Sequence, residues 1–320
     1  MAVGSLSAPA RGADEQIDWI KSIPFILMHL APLGAIWTGF TWGDVVLCVA
    51  LYVIRMFFIT AGYHRYFSHR SYRLGRGMQF LMAFGGATAV QKGPLWWAVH
   101  HRTHHRTSDT DDDPHASHRG LWWSHVAWIL CNKYDATPED KIKDFARFPE
   151  LRWLNRYHVV PPLLLAIACY AWGGASALFI GFFLSTVLLW HGTFSINSLT
   201  HRWGRRRYDT TDTSKNSFLL ALITLGEGWH NNHHYYQSTA NQGFFWWELD
   251  ISYYVLKVLS WVGLAHDLRT PTNRARFKNW IDQDACARAL ARRGLTAPEP
   301  HVHDPLPADA LPASSQAPAE

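Results

Sequence analysis

The residues of this sequence that are best suited to chemistry are histidines grouped at short, regular spacing. Three clusters occur, His64-Arg-Tyr-Phe-Ser-His69, His101-Arg-Thr-His104-His105 and His230-Asn-Asn-His233-His234, and one more histidine ends the segment Asn197-Ser-Leu-Thr-His201. Residues three and four apart share one face of a helix, so each His-x-x-His-His cluster can direct its imidazoles at a common point. Because imidazole binds iron, copper, nickel and zinc, the spacing predicts a metal site without naming the metal.

The number of histidines favours two metal ions. The candidate ligands are His64, His69, His101, His104, His105, His201, His230, His233 and His234, and nine nitrogens are too many for one ion. His64 and His69 would point about 140° apart on a regular α-helix. We therefore expect that they serve different metals or that the helix unwinds between them. Glu227-Gly-Trp-His230 places a carboxylate three residues before a ligand, and we interpret Glu227 as orienting His230 or a bound water.

Four apolar segments surround these clusters and must position them. Residues 23–40 and 44–62 form one pair, and residues 159–172 and 175–197 form another, with short turns at 41–43 and 173–174. Most of these segments approach the length of helix that crosses a hydrocarbon core. The sequence therefore predicts an all-α integral membrane protein with four transmembrane helices in two hairpins.

The distribution of charge predicts the orientation of these hairpins. Lys and Arg are absent from the two turns and frequent near the other span ends. By the positive-inside rule, both termini and the histidine clusters lie on the cytoplasmic side of the inner membrane. Apolar stretches at 78–90, 121–131 and 218–225 are too short to cross, and we expect them to form a helical cap there. The formal charge of +5 is not gathered into one stripe, which argues against nucleic-acid binding.

Residues 21–270 form the predicted membrane domain. Residues 1–20 lack the apolar core of a signal peptide and are expected to be flexible. Residues 271–295 are expected to form a C-terminal cytoplasmic helix. Residues 296–320 are rich in Pro and Ala and are expected to be disordered. The four cysteines are scattered without a Cys-x-x-Cys pair, which argues against a disulfide framework or a thiolate metal site.

The histidine clusters and their flanking residues resemble the motifs of one known family. Gly62-Tyr-His64, Asp113-Pro-His115 and Gly226-Glu-Gly-Trp-His230 accompany the clusters in an order and spacing similar to the membrane fatty acyl desaturases, including the acyl-CoA 9-desaturases, over roughly residues 20 to 270. The resemblance implies four transmembrane helices under a cytoplasmic cap that holds two irons. It also implies O2-dependent insertion of a cis double bond, at the 9 position, into a saturated long-chain acyl substrate.

The resemblance also assigns residues and partners. It implies that the nine histidines are iron ligands and that Asn197 holds one iron through a water. Acyl-CoA is the favoured carrier. Acyl-lipid and carrier-protein substrates stay open as alternatives, because Lys92 and Val99 stand where animal acyl-CoA enzymes of the family place asparagine and arginine. Lys92 remains a candidate for the head group, as a point charge facing a phosphate. No cytochrome b5-like extension follows the last cluster, so we expect a ferredoxin or similar electron donor with its NAD(P)H reductase.

Two further functions use similar residues. Related histidine clusters also support oxygen insertion, so a di-iron hydroxylase or monooxygenase is an alternative. A metal transporter is a more distant one, because transport favours ionisable ligands inside the spans. The clusters of this sequence lie instead at span ends or between them.

Overall fold

The computed structural model describes residues 12–292 and residue 294, and their regular secondary structure is almost entirely helical. The α-helices are α1 (Trp19–Leu30), α2 (Ala35–Thr38), α3 (Trp42–Phe57), α4 (Arg76–Ala87), α5 (Pro94–Thr107), α6 (Leu121–His125), α7 (Lys143–Ala146), α8 (Pro149–Arg156), α9 (Val160–Ser176), α10 (Ser185–Ser198), α11 (Phe218–Ile223), α12 (His230–Tyr235), α13 (Ile251–Trp261), α14 (Asn273–Phe277) and α15 (Gln283–Ala291). Short 3-10 helices cover Ala13–Glu15, Ala31–Gly34, Ser117–Arg119, Ala127–Ile129 and Glu139–Lys141, and π-helices cover Phe58–Ser68 and Ala177–Leu184. Strands β1 (Arg73–Leu74) and β2 (Ala265–His266) pair antiparallel.

Two helical stretches are long and apolar enough to cross a membrane. They are Trp42–Ser68, with 27 residues, and Val160–Ser198, with 39 residues, and a shorter apolar helical stretch covers Ile23–Thr38. The second stretch is not continuous, because Gly173 and Gly174 have non-helical backbone angles. Gly174 has a φ of +69°, which a residue without a Cβ adopts readily. The break lies at the turn predicted for residues 173–174.

The start of α3 follows from its first residues. The Thr41 hydroxyl accepts a hydrogen bond from the Asp44 backbone N–H, and the Asp44 carboxylate accepts one from the Thr41 N–H. This reciprocal capping box satisfies donors that a helix leaves free at its N-terminus. Gly39, with a φ of +65°, reverses the chain just before it. The observed turn therefore lies slightly before the predicted residues 41–43.

The segment that carries the first histidines packs tightly against α4. Gly85 and Gly86 face the rings of Phe58 and Tyr63, where a Cβ on either glycine would overlap the ring. Tyr63 is fully buried, and it contributes to the main hydrophobic core. Because these two positions of α4 lack a side chain, the π-helix can approach α4 closely there.

Arg55 is buried in the middle of an apolar helical stretch. Its guanidinium donates hydrogen bonds to the Leu51 and Thr88 carbonyls and to the hydroxyls of Ser185 and Thr186. Among residues 12–292 it has no carboxylate partner. Neutral oxygens from three helical segments therefore hold a cation inside the helix bundle.

One prediction about the C-terminal part of the chain needs correction, and the flexible N-terminus stays a prediction. Within residues 12–20, Glu15 forms ion pairs with Arg119 and Lys133, and Trp19 begins α1. Within 271–292 the chain forms α14 and α15 instead of one helix, since Asn279 has a φ of +60° between them. Residues 1–11 and the tail 296–320 lie outside the described residues.

Candidate metal centre

Five histidines converge at the end of the first long helical stretch. This cluster A consists of His64, His69, His101, His105 and His233, whose ligand atoms all lie within 4.8 Å of one another. The Nε2 atoms of His69 and His101, of His101 and His105, of His105 and His233, and of His233 and His64 are each 2.9 Å apart. The π-helix, α5 and α12 therefore present five imidazoles to one point.

The π-helical winding explains why His64 and His69 belong to the same cluster. A π-helix has i→i+5 hydrogen bonds, and the His69 N–H donates to the His64 carbonyl at 3.2 Å. Side chains five residues apart then lie on the same side of the helix. The structure brings both histidines into one cluster, so it favours one shared metal over different metals, an expectation that assumed α-helical geometry. The alternative, a departure from that geometry at this point, agrees with the structure.

The other four candidate ligands form cluster B. His104, His201, His230 and His234 have ligand atoms within 4.8 Å of one another, and all four are buried. The Nε2 atoms of His104 and His234 are 3.3 Å apart, and those of His201 and His230 are 3.2 Å apart. Because α5 and α12 each contribute residues to both clusters, the two sites share their supporting helices.

Carboxylates stand behind the imidazoles. In cluster B the Nδ1 atoms of His104, His201 and His234 lie 2.9, 3.2 and 2.6 Å from carboxylate oxygens of Asp113, Asp109 and Asp212 respectively. In cluster A, His64 Nδ1 lies 2.5 Å from a carboxylate oxygen of Glu227. Such partners fix the tautomer and orientation of a metal-binding imidazole and strengthen it as a donor.

Glu227 contacts a different histidine from the one expected. Its carboxylate meets His64, whereas His230 Nδ1 has no hydrogen-bond partner among the described residues. The second carboxylate oxygen of Glu227 accepts hydrogen bonds from the Arg65 guanidinium. The same guanidinium also donates to both carboxylate oxygens of Asp250. This network is completely buried and ties the π-helix to the segment before α12 and to the N-terminus of α13.

The donor set fits metal cations better than it fits a metal-free hydrogen-bond network. When Asp113 and Asp212 accept the Nδ1–H of His104 and His234, both Nε2 atoms are left as lone pairs, and these face each other at 3.3 Å. With both rings neutral, neither atom can donate and the contact is repulsive. It then needs either a metal ion or a proton on His104, whose pKa is raised by Asp113 although burial lowers it. In cluster A, one Nε2 cannot make two hydrogen bonds, yet three of the five have two Nε2 neighbours at 2.9 Å.

Comparison with known proteins agrees with this geometry. A family model for fatty acid desaturases matches residues 40–280. The chain belongs to the fatty acid desaturase family. An sn-2 palmitoyl-lipid 9-desaturase of Nostoc sp. (strain 36) is 39% identical over 264 residues, which cover 81% of this chain and 92% of the relative. An acyl-CoA 5-desaturase of Anemone leveillei is 34% identical over 300 residues, which cover 88% of this chain and 93% of the relative.

Membership makes this desaturase an oxidoreductase of lipid metabolism. A further relative, an sn-1 stearoyl-lipid 9-desaturase of Anabaena variabilis, is 36% identical over 263 residues, covering 81% of this chain and 97% of the relative. The family is membrane-bound, in agreement with the two long apolar helical stretches. The names of the relatives include both lipid-linked and CoA-linked acyl substrates.

The electrostatics of the desaturase keep most cluster imidazoles neutral. Burial, reinforced by neighbouring imidazoles, lowers the pKa of five of them well below the ordinary value, namely His69, His101, His105, His230 and His233. Burial also lowers the pKa of His234 to about 4, although Asp212 acts in the opposite direction. Neutral imidazoles have free lone pairs, which is the form that binds metals.

Asn197 and Lys92, two other predicted site residues, lie outside both clusters. Asn197 is half-buried on the last turn of α10, four residues before His201. The Lys92 ammonium pairs with Asp135 at 2.7 Å and lies 4.7 Å from the centre of the Trp96 ring. Asp135 also pairs with Lys21. The charge proposed for a phosphate is therefore already partly neutralised.

Sequence reasoning assigned no role to four residues around cluster B. Asp109 and Asp212 were not singled out, and Asp113 and His115 were named only within a motif that resembles the family's. His115 is buried, and its ring centre lies 4.1 Å from that of His104. The signal that could have found most of them is the acidic run Asp109-Thr-Asp-Asp-Asp113-Pro-His115, directly after the second histidine cluster. Asp212 has no comparable signal, because only the fold brings it to His234.

Proposed function

We propose that this desaturase binds one iron in cluster A and one in cluster B and introduces a cis double bond at the 9 position of a saturated long-chain acyl group. The convergence of nine imidazoles into groups of five and four, with carboxylates behind both groups, carries this proposal. Bound iron, with O2, would supply the oxidising power to remove two hydrogens from adjacent methylenes, which no acid or base side chain can do. The balanced reaction also consumes two electrons and two protons and releases two waters.

The protein residues hold and shield this centre. His64, His69, His101, His105 and His233 would bind the first iron, and His104, His201, His230 and His234 the second. Asn197 lies close to His201 in the sequence and is proposed to complete the second site through a water. The Trp97 ring stacks at 4.9 Å from the His101 ring, and it covers cluster A on one side. Such apolar cover excludes water that would otherwise consume the oxidant.

We propose an acyl-lipid as the substrate carrier in place of the initially favoured acyl-CoA. Lys92 is engaged by Asp135, so it is a weak candidate for a CoA phosphate. Two of the relatives named above are acyl-lipid 9-desaturases, with 39% and 36% identity. A lipid-linked acyl chain would enter the site from the membrane.

The proposed arrangement in the membrane has four spans in two hairpins, with the clusters in a cap on the cytoplasmic side of the inner membrane. Both long helical stretches end in ligand-bearing segments, at Ser68 and Ser198, so these ends meet on one side. The opposite turns lack Lys and Arg, which favours the non-cytoplasmic side for them. A ferredoxin-type donor with an NAD(P)H reductase would deliver electrons at the cytoplasmic face.

Lipid analysis of a desaturase-deficient host that expresses the chain tests this function. We expect new monounsaturated acyl chains, with the double bond located at carbon 9 by mass spectrometry. Pulse-labelling distinguishes the carriers, because an acyl-lipid enzyme should place unsaturation in the lipid fraction before it appears in acyl-CoA. A hydroxy acid as sole product would instead support the hydroxylase. Purified protein with a single, readily exchanged zinc and no O2-dependent activity would support a transporter.

A further inference from the structure

The two histidine clusters differ in their exposure to solvent. All four members of cluster B are buried, whereas His69, His101 and His105 of cluster A keep a smaller part of their surface exposed although neighbouring rings crowd their imidazoles. A chelator or a competing metal can therefore approach cluster A more directly. An ion in cluster B can leave only if its surroundings open first.

The clusters also differ in the charge that surrounds them. Asp109, Asp113 and Asp212 each contact a different imidazole of cluster B, and none of them has a Lys or Arg ion-pair partner among residues 12–292. Cluster A has one such carboxylate, that of Glu227, and it is shared with the buried guanidinium of Arg65. Cluster B is therefore backed by three uncompensated negative charges and cluster A by a largely compensated one.

Lower exposure and more negative charge both favour retention of a bound cation in cluster B over cluster A. A carboxylate behind an imidazole strengthens it as a donor, and its removal commonly weakens metal binding about 10-fold to 100-fold. Buried negative charges also attract a cation strongly, because little water screens them. The fifth imidazole of cluster A adds a ligand but no charge.

We propose that the two centres are unequal in metal retention: cluster B holds its ion firmly, while cluster A exchanges its ion with solution. The desaturase then passes through a form with one metal, in cluster B, during both loading and loss. This inference rests on the proposed assignment of two irons. It makes Asp109, Asp113 and Asp212 positioning residues for the retained metal.

Iron release from the full-length protein in detergent tests the inequality without any assay of activity. Protein loaded with two irons is reduced and mixed with an excess of a coloured ferrous chelator, and the absorbance is followed. We expect two phases of equal amplitude, one iron per chain in each, with the second at least about 10-fold slower. Release of both irons in a single phase would overturn the inequality and leave the two-iron proposal intact. Protein that never holds more than one iron would instead contradict the two-iron proposal.

Isosteric variants assign the phases to the clusters. Asp212→Asn and Asp113→Asn remove a charge behind cluster B, and each should accelerate the slow phase about 10-fold to 100-fold with little change in the fast phase. Asp111→Asn is the matched control, because Asp111 lies in the same acidic run but is exposed and pairs only with His118. It should leave both phases unchanged.

Glu227→Gln provides the converse variant. It removes the carboxylate behind His64 and should accelerate the fast phase alone. If Glu227→Gln does not fold because Arg65 loses a buried partner, the two aspartate variants still decide the assignment. Acceleration of the fast phase by Asp212→Asn and Asp113→Asn, with the slow phase unchanged, would refute the proposal.

Discussion

Histidines come close together in two regions of this desaturase, and only one region has the character of a metal site. In clusters A and B, ring nitrogens 2.9–3.3 Å apart converge on common points. Elsewhere, His191 of α10 lies between His29 of α1 and His125 of α6, with nitrogen distances of 3.1 and 3.0 Å. The distances are the same, but these three residues form a line.

The line can be satisfied completely by hydrogen bonds. The Nδ1–H of His29 donates to the Phe25 carbonyl, so His29 Nε2 is free to accept from His191 Nε2–H. His191 Nδ1 then accepts from His125 Nε2–H, and His125 Nδ1 accepts from the Ser198 hydroxyl once that hydroxyl turns from the Phe194 carbonyl. Every ring nitrogen has one role, and no cation is needed.

The difference between the regions shows what identifies a metal centre in this fold. Short distances between ring nitrogens do not suffice, because a relay of neutral imidazoles produces them too. Convergence of several Nε2 atoms, with carboxylates at Nδ1 that leave those atoms as lone pairs, is what calls for a cation. No carboxylate contacts His29, His125 or His191 among residues 12–292.

The largest expected effect comes from removing one ligand from a convergent cluster. His104→Ala should reduce desaturation below detection and lower the iron content from about two to about one per chain, because cluster B loses one of its four imidazoles. Metal analysis and product analysis of the purified variant measure this. Membrane insertion should be unchanged. Full turnover in the variant would remove the distinction between the clusters and the histidine line.

A smaller effect is expected from acid on the metal-free protein. Burial lowers the pKa of His69, His101 and His105, so the unfolded chain binds more protons than the folded one below about pH 6.5. The stability of the metal-free protein should therefore fall as the pH drops from 7 to 5, and bound iron should oppose this. Thermal unfolding in detergent at pH 7 and pH 5, with and without iron, measures the direction of this change in stability. A metal-free protein that is more stable at pH 5 than at pH 7 would contradict it.

The smallest effect is expected for the histidine line. His191→Ala removes two hydrogen bonds between helices, each worth about 1 kcal/mol, and should lower the unfolding temperature modestly. Iron content and turnover should stay within about twofold of the parent protein, because no cluster ligand is touched. Loss of an iron in this variant would show that the line belongs to the metal centre after all.

The sequence was sufficient to predict the candidate ligands but not their grouping. His101, His104 and His105 share a helix, and local periodicity predicts that they act together. The division into five and four depends on the π-helix at Phe58–Ser68, which brings His69 beside His64. No residue pattern in that segment indicates i→i+5 winding.

The partners of the ligands depend on contacts that are distant in sequence. Glu227 was expected at His230, three residues away, yet it lies against His64, 163 positions earlier in the chain. The contact of His191 with His29 of α1 likewise joins residues that are far apart in the sequence. By contrast, the turn at Gly173–Gly174 was predictable, because it depends on the local freedom of glycine.

Arg55 has a consequence for how the chain is assembled. It sits in an apolar helical stretch, yet its hydroxyl partners, Ser185 and Thr186, are about 130 residues further along the chain. A ribosome therefore delivers the helix that contains the cation well before it delivers the two hydroxyls that solvate it. Until then, the Leu51 and Thr88 carbonyls are the partners available to a charge that otherwise faces lipid, at a cost of a few kcal/mol. We expect the first long helical stretch to remain loosely inserted after synthesis and to settle in the bilayer only when the second long stretch arrives.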